Sequence, residues 1–295
     1  MHGRHIARPA HLIGKVAAEL VARQVAAALA EDLGTGDVTA ALVPANQRVR
    51  AQIIAREPAI LCGIDWVAAT FSQLDPSIAL DWNASDGDPI GKDQPVLKLS
   101  GLARPILTGE RTALNFLQTL SATATAAHAF AEAVAGTGCR ILDTRKTLPG
   151  LRMAQKYAVR CGGAQNHRLG LHDMVLIKEN HIIAAGSIAQ AIETARRTSP
   201  QVPVEVEVET LAELDQALAA GADIILLDEL NLDDMRTAVA RNRAAGGKAK
   251  LEASGSVTLA NVRSIAETGV DFISIGGITK HIQAVDLSMR LEFAA

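Results

Sequence analysis

The sequence predicts an α/β protein in which a mixed N-terminal unit precedes an incomplete barrel of parallel strands. Between residues 49 and 100, short alternating runs broken by Gly, Pro and Asp are typical of antiparallel hairpins. After Cys139, apolar runs of strand length alternate with helical segments, which indicates parallel strands joined by right-handed crossovers. These units occupy about 155 residues, fewer than the roughly 250 of a complete eight-unit barrel, so the barrel should be open.

The N-terminal unit combines helices with the hairpins. Residues 15–30 predict an Ala-rich amphipathic helix, which Gly34 and Gly36 bring to an end. The segment DWVAATFSQL predicts a second helix between the hairpins. A long third helix starts at Pro105 and ends near Gly136, so the hairpins should be covered by helices.

Six strands are predicted for the barrel, at residues 140–144, 174–178, 202–209, 222–228, 249–253 and 270–275. In the third, valines alternate with Glu205, Glu207 and Glu209. A period of two places the valines under the helices and the glutamates inside the barrel. Buried carboxylates require cations or a metal as partners, and the preceding strands carry the cations.

Composition excludes several classes of function. Aromatic residues are 3% of the chain and the net charge is −3, so nucleic acid is not an expected partner. Cys62, Cys139 and Cys161 are widely spaced without a CxxC pair, which predicts neither a disulfide framework nor a structural zinc site and fits a reducing cytoplasm. The stretch MHGRHIARPAHLIGK has no apolar core of signal-peptide length, and no apolar run approaches about 18 residues, so we expect neither a signal peptide nor a membrane association.

Residues 141–181 reverse the sign of this mildly acidic chain, with many more bases than acids. The carboxyl ends of parallel barrel strands usually carry the chemistry, and here every predicted strand ends near a charged or small residue. These are Arg145 and Lys146, Lys178, Glu207, Asp228, Ser254 and Gly276. They predict a site for a phosphorylated, multiply anionic substrate, with two carboxylates for Mg²⁺ or sugar hydroxyls and small residues around a phosphate.

The residues alone leave alternatives open. An aldolase would use Lys146 or Lys178 as a Schiff-base amine, and a non-catalytic phosphate-binding regulator would not need Glu207 and Asp228 beside the cations. Arg111, on the long helix, is from its charge alone a solvated ion-pair partner of Glu110 or Glu132. One helix face carries a basic residue every four positions, namely Arg152, Lys156 and Arg160. This face is either solvated, or it contributes to the electrostatic field around the site or to a dimer contact.

The chain resembles the quinolinate phosphoribosyltransferase family in segments spread along nearly its whole length. These are EDLGTGDVT, GERTALNFLQTLS, DTRKTLPGLR, KYAVRCGGAQNHRLGLHDMVLIKENH, VEVEVET, IILLDEL, LEASGS and DFISIGGITKH. The resemblance implies an N-terminal α/β sandwich at residues 1–135 and an open, seven-stranded α/β barrel of TIM-like type at residues 136–295, with residues 280–295 packing back on the sandwich. It also implies a homodimer, or a higher oligomer, in which Arg111 enters the partner's site.

The implied reaction joins quinolinate to 5-phosphoribosyl-1-pyrophosphate with Mg²⁺ and releases pyrophosphate and CO₂, giving nicotinate mononucleotide for de novo NAD biosynthesis. Arg145, His167, Arg168 and the partner's Arg111 would bind the two carboxylates of quinolinate. Lys146 and Lys178 would meet the pyrophosphate and the departing carboxylate, while Glu207 and Asp228 would bind the ribose or the metal. The remaining substrate-binding residues are Thr144, Ser254, Gly255, Ser256, Ile275, Gly276 and Gly277, most of them around the 5′-phosphate. A same-fold phosphoribosyltransferase with another acceptor, nicotinate-type or a molybdenum-locus paralogue, is the nearest alternative.

Overall fold

The computed structural model describes residues 16–293. Residues 1–15 and 294–295 lie outside this range. The first of these segments is the one from which we predicted that there is no signal peptide, and its last residue, Lys15, is the first residue of the predicted N-terminal helix. Contacts divide the described chain into two compact units, residues 16–128, 147–163 and 278–293, and residues 129–146 and 164–277. We call them the mixed unit and the barrel unit. Residues 147–163 fall in the mixed unit, whereas the domain boundary at residue 135 stays a prediction.

Strands and helices alternate along most of the chain. The strands are β1 (Arg48–Ala55), β2 (Ala59–Ile60), β3 (Ala79–Trp82), β4 (Pro89–Ile90), β5 (Pro95–Leu102), β6 (Arg140–Leu142), β7 (Val175–Ile177), β8 (Val204–Val208), β9 (Ile224–Asp228), β10 (Lys250–Ser254), β11 (Phe272–Ser274) and β12 (Leu287–Phe293). The helices are α1 (Ala18–Leu33), α2 (Ile64–Leu74), α3 (Ala103–Ala133), α4 (Arg152–Cys161), α5 (Glu179–Ala185), α6 (Ile188–Thr198), α7 (Leu211–Ala219), α8 (Leu232–Ala244), α9 (Val262–Ala266) and α10 (Gly277–Lys280), with a 3-10 turn at Ala40–Leu42.

The mixed unit contains a four-stranded antiparallel sheet in the order β12-β1-β5-β3, as the hairpin pattern predicts, and a two-stranded sheet of β2 and β4. Alternate residues of β1, including Ala51 and Ile53, are buried in a core with Phe71, Leu97 and Leu117. The strand at the C-terminal end, β12, pairs with β1, so residues distant in sequence complete one sheet. Helices α1 and α2 pack on each other in the same unit.

The barrel unit contains a parallel sheet in the order β6-β11-β10-β9-β8-β7. Its six strands lie inside the six predicted ranges, except that β10 extends to Ser254. Beyond β6, the seventh position is occupied by Gln165 as an isolated parallel bridge to Leu142. The sheet therefore runs from Gln165 to β7 without closing, as expected for an open barrel.

The alternation predicted for β8 is present. Val206 is buried, and its in-register neighbours Ile177, Ile225 and Leu251 form an apolar row on the same face of the sheet. Glu205 and Glu207 occupy the other face. Our placement of Glu209 inside the barrel is wrong, because the strand ends at Val208 and Glu209 is exposed.

The basic residues of α4 do not form a solvated face. Lys156 is completely buried, and Arg152 and Arg160 are partly buried. Four-residue spacing identifies a common face but not which side of the helix the fold covers. Among the helices of residues 16–293, none is both long enough and apolar enough to cross a bilayer.

Candidate active site

An open cavity of about 280 Å³ lies at the carboxyl ends of the barrel strands. The residues that line it are Thr144, Arg145, Lys146, His167, Arg168, Leu176, Lys178, Glu207, Leu226, Glu252, Ser254 and Ser274. Most of the cations predicted for the site are therefore brought together, along with Glu207 and Ser254.

One face of the sheet forms the floor of this cavity. Glu207 of β8, Leu226 of β9 and Glu252 of β10 are in register, and Ser254 follows Glu252 by two residues on the same face. Asp228 is in register with Ser254 and lies two residues beyond Leu226, at the carboxyl end of β9. Asp228 is half-buried at the strand end and is not among the lining residues.

Two guanidinium groups lie close together on one side of the cavity. The Nη1 atom of Arg145 is buried and has no hydrogen-bond acceptor among residues 16–293. Burial and the positive charge of Arg145 both lower the pKa of Arg168, whose Nη1 donates to the carbonyl oxygen of Met174 at 3.2 Å. Two like charges and a buried donor without an acceptor are costly unless an anion binds between them.

His167 pairs with two buried acids beneath the cavity. Its Nε2 lies 3.0 Å from Glu205 Oε2 and 3.3 Å from Glu252 Oε1, and both glutamates are completely buried. Burial by itself lowers the pKa of His167, but the Glu252 and Glu205 carboxylates outweigh burial and raise it to about 9. The backbone N–H of Arg168 points at His167 Nδ1 from 2.7 Å and favours the neutral ring. Two carboxylates outweigh this single neutral contact, so we assign an imidazolium at pH 7.

The loop that carries His167 and Arg168 is held by two aspartates. Buried Asp143 accepts hydrogen bonds from the His167 backbone N–H at 2.8 Å and from Asn166 Nδ2 at 2.7 Å. Asp173 accepts from the backbone N–H groups of residues 169 and 170. These bonds fix the backbone on both sides of Arg168 and thereby pre-organise the cationic side of the cavity.

Lys178 and Glu207 form an ion pair across the neighbouring strands β7 and β8. Lys178 is half-exposed, with 49% of its side chain accessible, whereas Glu207 is 16% exposed. The Lys178 backbone N–H donates to Nδ1 of His181 at 3.0 Å, so His181 has a structural role at the start of α5. The ammonium group is thus held at the cavity rim with one face open to solvent.

Lys146 lies over a glycine of the neighbouring strand end. A Cβ atom on Gly276 would stand 2.8 Å from Lys146 Cδ and 3.4 Å from Thr144 Oγ1. The Lys146 backbone N–H donates to Thr144 Oγ1 at 3.0 Å. Because residue 276 has no side chain, the Lys146 side chain can occupy this position at the cavity.

The predicted phosphate loops hold an acid that we did not anticipate. Ser256 Oγ donates to Glu229 Oε1 at 3.1 Å, and a Cβ on Gly255 would stand within 3.0 Å of the same carboxylate. Glu229 itself has a left-handed backbone, with φ of 51°. Of the other predicted loop residues, Ser254 lines the cavity, whereas Ile275 and Gly277 do not: Ile275 is buried, with its N–H bonded to Leu142, and Gly277 begins α10.

Arg111 belongs to the mixed unit and is exposed. It lines another cavity, of about 260 Å³, with Glu31, Asp32 and Asn115. Burial raises the pKa of the adjacent Glu110, and the charge of Arg111 opposes that rise. The barrel cavity is lined by residues of the barrel unit alone, so any role of Arg111 in it stays a prediction.

The acids at the cavity have the chemistry that Mg²⁺ prefers. Carboxylate oxygens are its usual protein ligands, and the ion keeps several waters when it binds with a substrate phosphate. One carboxylate oxygen of Glu207 pairs with Lys178, which leaves the other for a metal ion. Asp228 is the last residue of the neighbouring strand β9. The buried cluster of His167, Glu205 and Glu252 also has metal-ligating atoms within 4.8 Å of one another, but its members already form an ion-paired group.

Comparison with known proteins covers nearly the whole chain. Residues 37–121 match the N-terminal domain of quinolinate phosphoribosyl transferase, and residues 123–290 match its C-terminal domain. The chain is 43% identical over 264 residues to a probable nicotinate-nucleotide pyrophosphorylase (carboxylating) of Synechocystis sp., covering 89% of this chain and 90% of that protein.

Two further similarities agree with these matches. The nicotinate-nucleotide pyrophosphorylase (carboxylating) of Mycobacterium leprae is 41% identical over 271 residues, which are 90% of this chain and 94% of that protein. A solved structure of the nicotinate-nucleotide pyrophosphorylase from Francisella tularensis superposes with a TM-score of 0.91 at 48% identity, covering 94% of this chain and 98% of that one. The similarity thus includes both the mixed and the barrel units.

Proposed function

From the premise that the chain belongs to the quinolinate phosphoribosyltransferase family, and is a decarboxylating pentosyltransferase, we propose how its residues carry out the reaction. The reaction transfers a phosphoribosyl group to quinolinate with loss of CO₂, giving nicotinate mononucleotide for NAD biosynthesis. The roles of individual residues, the need for Mg²⁺ and the dimeric site are our proposals.

The buried Nη1 of Arg145 is the observation that carries the proposal for the acceptor. This donor has no acceptor in the part of the chain that the structure describes, and it lies beside the second guanidinium, that of Arg168. A dianion with two adjacent carboxylates would accept from both groups and neutralise both charges, with charge-assisted and partly bidentate bonds. Nicotinate has one carboxylate and would leave one guanidinium without a partner, so the pair favours quinolinate.

His167 contributes through charge balance. As an imidazolium it offsets one of the two negative charges of Glu205 and Glu252 at the cavity floor. Without that positive charge, both buried carboxylates would repel the quinolinate dianion in full. The protonation of His167 therefore sets how strongly the floor repels an anion.

Lys146, Lys178, Glu207 and Asp228 are placed for the phosphoribosyl donor. Lys178 would exchange part of its ion pair with Glu207 for the incoming pyrophosphate, which leaves Glu207 free to accept from ribose hydroxyls or a metal-bound water. When bound, Mg²⁺ would neutralise charge on the leaving pyrophosphate, with Glu207 and Asp228 holding it directly or through water. Lys146 would bind the pyrophosphate or the carboxylate that departs.

The 5′-phosphate would bind at Ser254, Gly255, Ser256, Gly276 and Gly277. The Glu229 carboxylate now accepts from Ser256 and packs on Gly255, so phosphate binding at these residues requires the exposed Glu229 side chain to turn away. A phosphate bound at these residues would repel the Glu229 carboxylate, and this repulsion would drive the change.

Decarboxylation follows from the chemistry of the ring. Once the ring nitrogen carries the ribose it is positively charged, and it absorbs the electron pair released as CO₂ leaves. The protein needs only to hold the ring, neutralise the departing carboxylate until the bond breaks and keep the retained carboxylate in place. Arg145, Arg168 and the lysines supply these contacts.

We place the enzyme in the cytoplasm as a homodimer, without a nucleic-acid or membrane partner. This placement rests on the spacing of the three cysteines in the sequence, which predicts no disulfide framework. The role of Arg111 in the partner's site rests on the family resemblance, and its exposed position at a cavity of the mixed unit is compatible with that role.

The test is the release of labelled CO₂ from quinolinate labelled in its 2-carboxyl group. We expect release only when both 5-phosphoribosyl-1-pyrophosphate and Mg²⁺ are present, with nicotinate mononucleotide formed in equal amount. Release without the donor, or undiminished release in excess chelator, would contradict the donor or the metal requirement respectively.

The aldolase alternative finds no support in the cavity. A Schiff-base lysine requires an uncharged amine in apolar surroundings. Lys178 is instead ion-paired and half-exposed, and Lys146 is exposed beside Thr144. A regulator that only binds phosphate would have no use for the buried acids that pair with His167.

A further inference from the structure

Two cysteines that are 99 positions apart in sequence meet in the mixed unit. The Sγ atoms of Cys62 and Cys161 and a carboxylate oxygen of Asp86 all lie within 4.8 Å of one another. Cys62 is completely buried just before α2, whereas Cys161 is the last residue of α4 and is partly exposed. Both belong to one apolar cluster of this unit.

The backbone around the pair is firmly held. Ser121 Oγ accepts from the Cys62 N–H at 2.9 Å and donates to its carbonyl oxygen at 3.2 Å. The Cys161 carbonyl oxygen packs 3.4 Å from the Cβ position of Gly87, in the turn that carries Asp86. The two sulfurs are therefore kept within 4.8 Å of each other by backbone that is itself held in place.

Asp86 does not complete a metal site here. Its Oδ1 accepts from the backbone N–H groups of Gly63 and Ile64 at 2.9 and 3.2 Å, and its Oδ2 accepts from the Tyr157 hydroxyl at 2.9 Å. Both carboxylate oxygens are thus committed to the start of α2 and to α4. Two thiols without a third free ligand suit sulfur–sulfur chemistry better than a tetrahedral metal.

The two thiols differ in reactivity. A hydrogen bond from Cys62 lowers the pKa of Cys161 despite partial burial, and the charge of Arg160 acts in the same direction. Burial raises the pKa of Cys62 well above its ordinary value. A partly exposed cysteine with a lowered pKa beside a buried thiol is the arrangement of an attacking and a resolving cysteine.

We propose that Cys62 and Cys161 form an oxidisable thiol pair, a modification site at which hydroperoxides convert the protein to an intramolecular disulfide. This inference is independent of the proposed enzymatic reaction.

The chemistry is balanced by the peroxide. The Cys161 thiolate attacks one peroxide oxygen, the O–O bond breaks, and a sulfenic acid forms as hydroxide leaves and takes up a proton. The Cys62 sulfur then attacks the Cys161 sulfur, the S–O bond breaks and a second water leaves with the Cys62 proton. Two thiols are oxidised by two electrons and one hydrogen peroxide is reduced to two waters.

Cys139 is an internal control. It is buried in the barrel unit, and burial raises its pKa to about 12. Within the described chain, Cys139 is not part of the group formed by Cys62, Asp86 and Cys161. Peroxide should leave this thiol unmodified.

The experiment treats the full-length protein with hydrogen peroxide, removes the oxidant with catalase, alkylates under denaturing conditions and maps peptides by mass spectrometry. We expect loss of two of the three thiols, a linked pair of peptides that contain Cys62 and Cys161, an alkylated Cys139 and full recovery with dithiothreitol. Cys139→Ser should behave like the wild type. Cys62→Ser should accumulate a Cys161 sulfenic acid that dimedone traps.

Wild-type mapping alone decides the matter if a variant does not fold. Three alkylated thiols after peroxide treatment would overturn the proposal, as would a linkage that includes Cys139. Cys161 found as sulfinic acid while Cys62 remains a free thiol would also overturn it, because the buried thiol would then have failed to resolve the sulfenic acid.

Discussion

The imidazole Nε2 of His167 lies 3.0 Å from a carboxylate oxygen of Glu205, and both side chains are buried beneath the cavity of the barrel unit. A second buried acid, Glu252, reaches the same nitrogen at 3.3 Å. The proposed anion site thus lies over two buried carboxylates that share one imidazolium. A charged His167 cancels one of the two negative charges and a neutral His167 cancels none, so the floor should repel a bound anion more strongly as the pH rises through the pKa of His167.

Glu252→Gln should move the alkaline limit of quinolinate binding toward neutral pH. The raised pKa of about 9 keeps His167 cationic below that pH and lets the charge disappear above it. Removing one carboxylate lowers this pKa, so we expect the limit to fall by roughly one unit. Calorimetric titration of quinolinate from pH 6 to pH 10, without the donor, measures it.

The matched control for this prediction is Glu267→Gln. Glu267 is an exposed carboxylate paired with Arg263 on the surface, and its loss removes a similar charge away from the cavity. An alkaline limit that is the same in Glu252→Gln, Glu267→Gln and the wild type would show that His167 does not control binding.

The sequence analysis did not predict that Glu252 lies at the cavity floor. The alternation that identified the glutamates of β8 is also present in KLEAS, where Glu252 stands between apolar neighbours. One acid in a five-residue run is a weak signal, and its partner His167 is 85 positions earlier in the chain. The register of β8, β9 and β10 places the two glutamates on one face of the sheet, and His167 reaches them from the loop that Asp143 holds.

The remaining differences have tertiary causes. Apolar runs identified all six parallel strands, but β6 has only three residues because pairing with β11 stops at Leu142. The burial of Lys156 depends on what packs over α4, which spacing does not encode. The place of Glu229 depends on a left-handed backbone that a non-glycine residue rarely adopts.

Arg145→Ala should weaken quinolinate binding by about 2 kcal/mol, roughly 30-fold in Kd, because charged hydrogen bonds to a carboxylate are lost. Arg168→Ala should act similarly. Because the wild-type Arg145 Nη1 has no acceptor within the described residues, removing this donor breaks no hydrogen bond there, and the variant should lose little stability. Quinolinate affinity and the thermal midpoint are measured on the same samples.

Arg140→Ala is the control for the arginine variants, since Arg140 is exposed at the opposite end of β6. We expect its affinity for quinolinate to equal that of the wild type. If Arg145→Ala and Arg168→Ala both bind quinolinate with wild-type affinity, the assignment of these two arginines is wrong.

Mixing Arg111→Ala with Lys146→Ala should restore activity that neither variant has alone. If Arg111 acts in the partner's site, a mixed dimer contains one site with both defects and one with none. Random exchange makes about half of the dimers mixed, so recovery should approach a quarter of wild-type activity. Activity after co-refolding measures the recovery, and each variant refolded alone is the control. No recovery, in a sample shown by mass spectrometry to contain mixed dimers, argues for sites within single subunits.

Gly276→Ala should reduce turnover without unfolding the protein. The new methyl group would stand 2.8 Å from Lys146 Cδ and 3.4 Å from Thr144 Oγ1, so the lysine must move while the backbone at 276 stays in a conformation open to alanine. Because Lys146 is proposed to contact pyrophosphate or the departing carboxylate, we expect kcat to fall roughly 10-fold or more with little change in thermal midpoint.

Gly91→Ala is the control: it adds the same methyl group 3.7 Å from Gln94 Oε1, an ordinary contact in the mixed unit, and should retain wild-type kcat. Wild-type turnover in Gly276→Ala would mean that the position of Lys146 is not important for the reaction, and a large loss of stability would mean that the glycine serves packing instead.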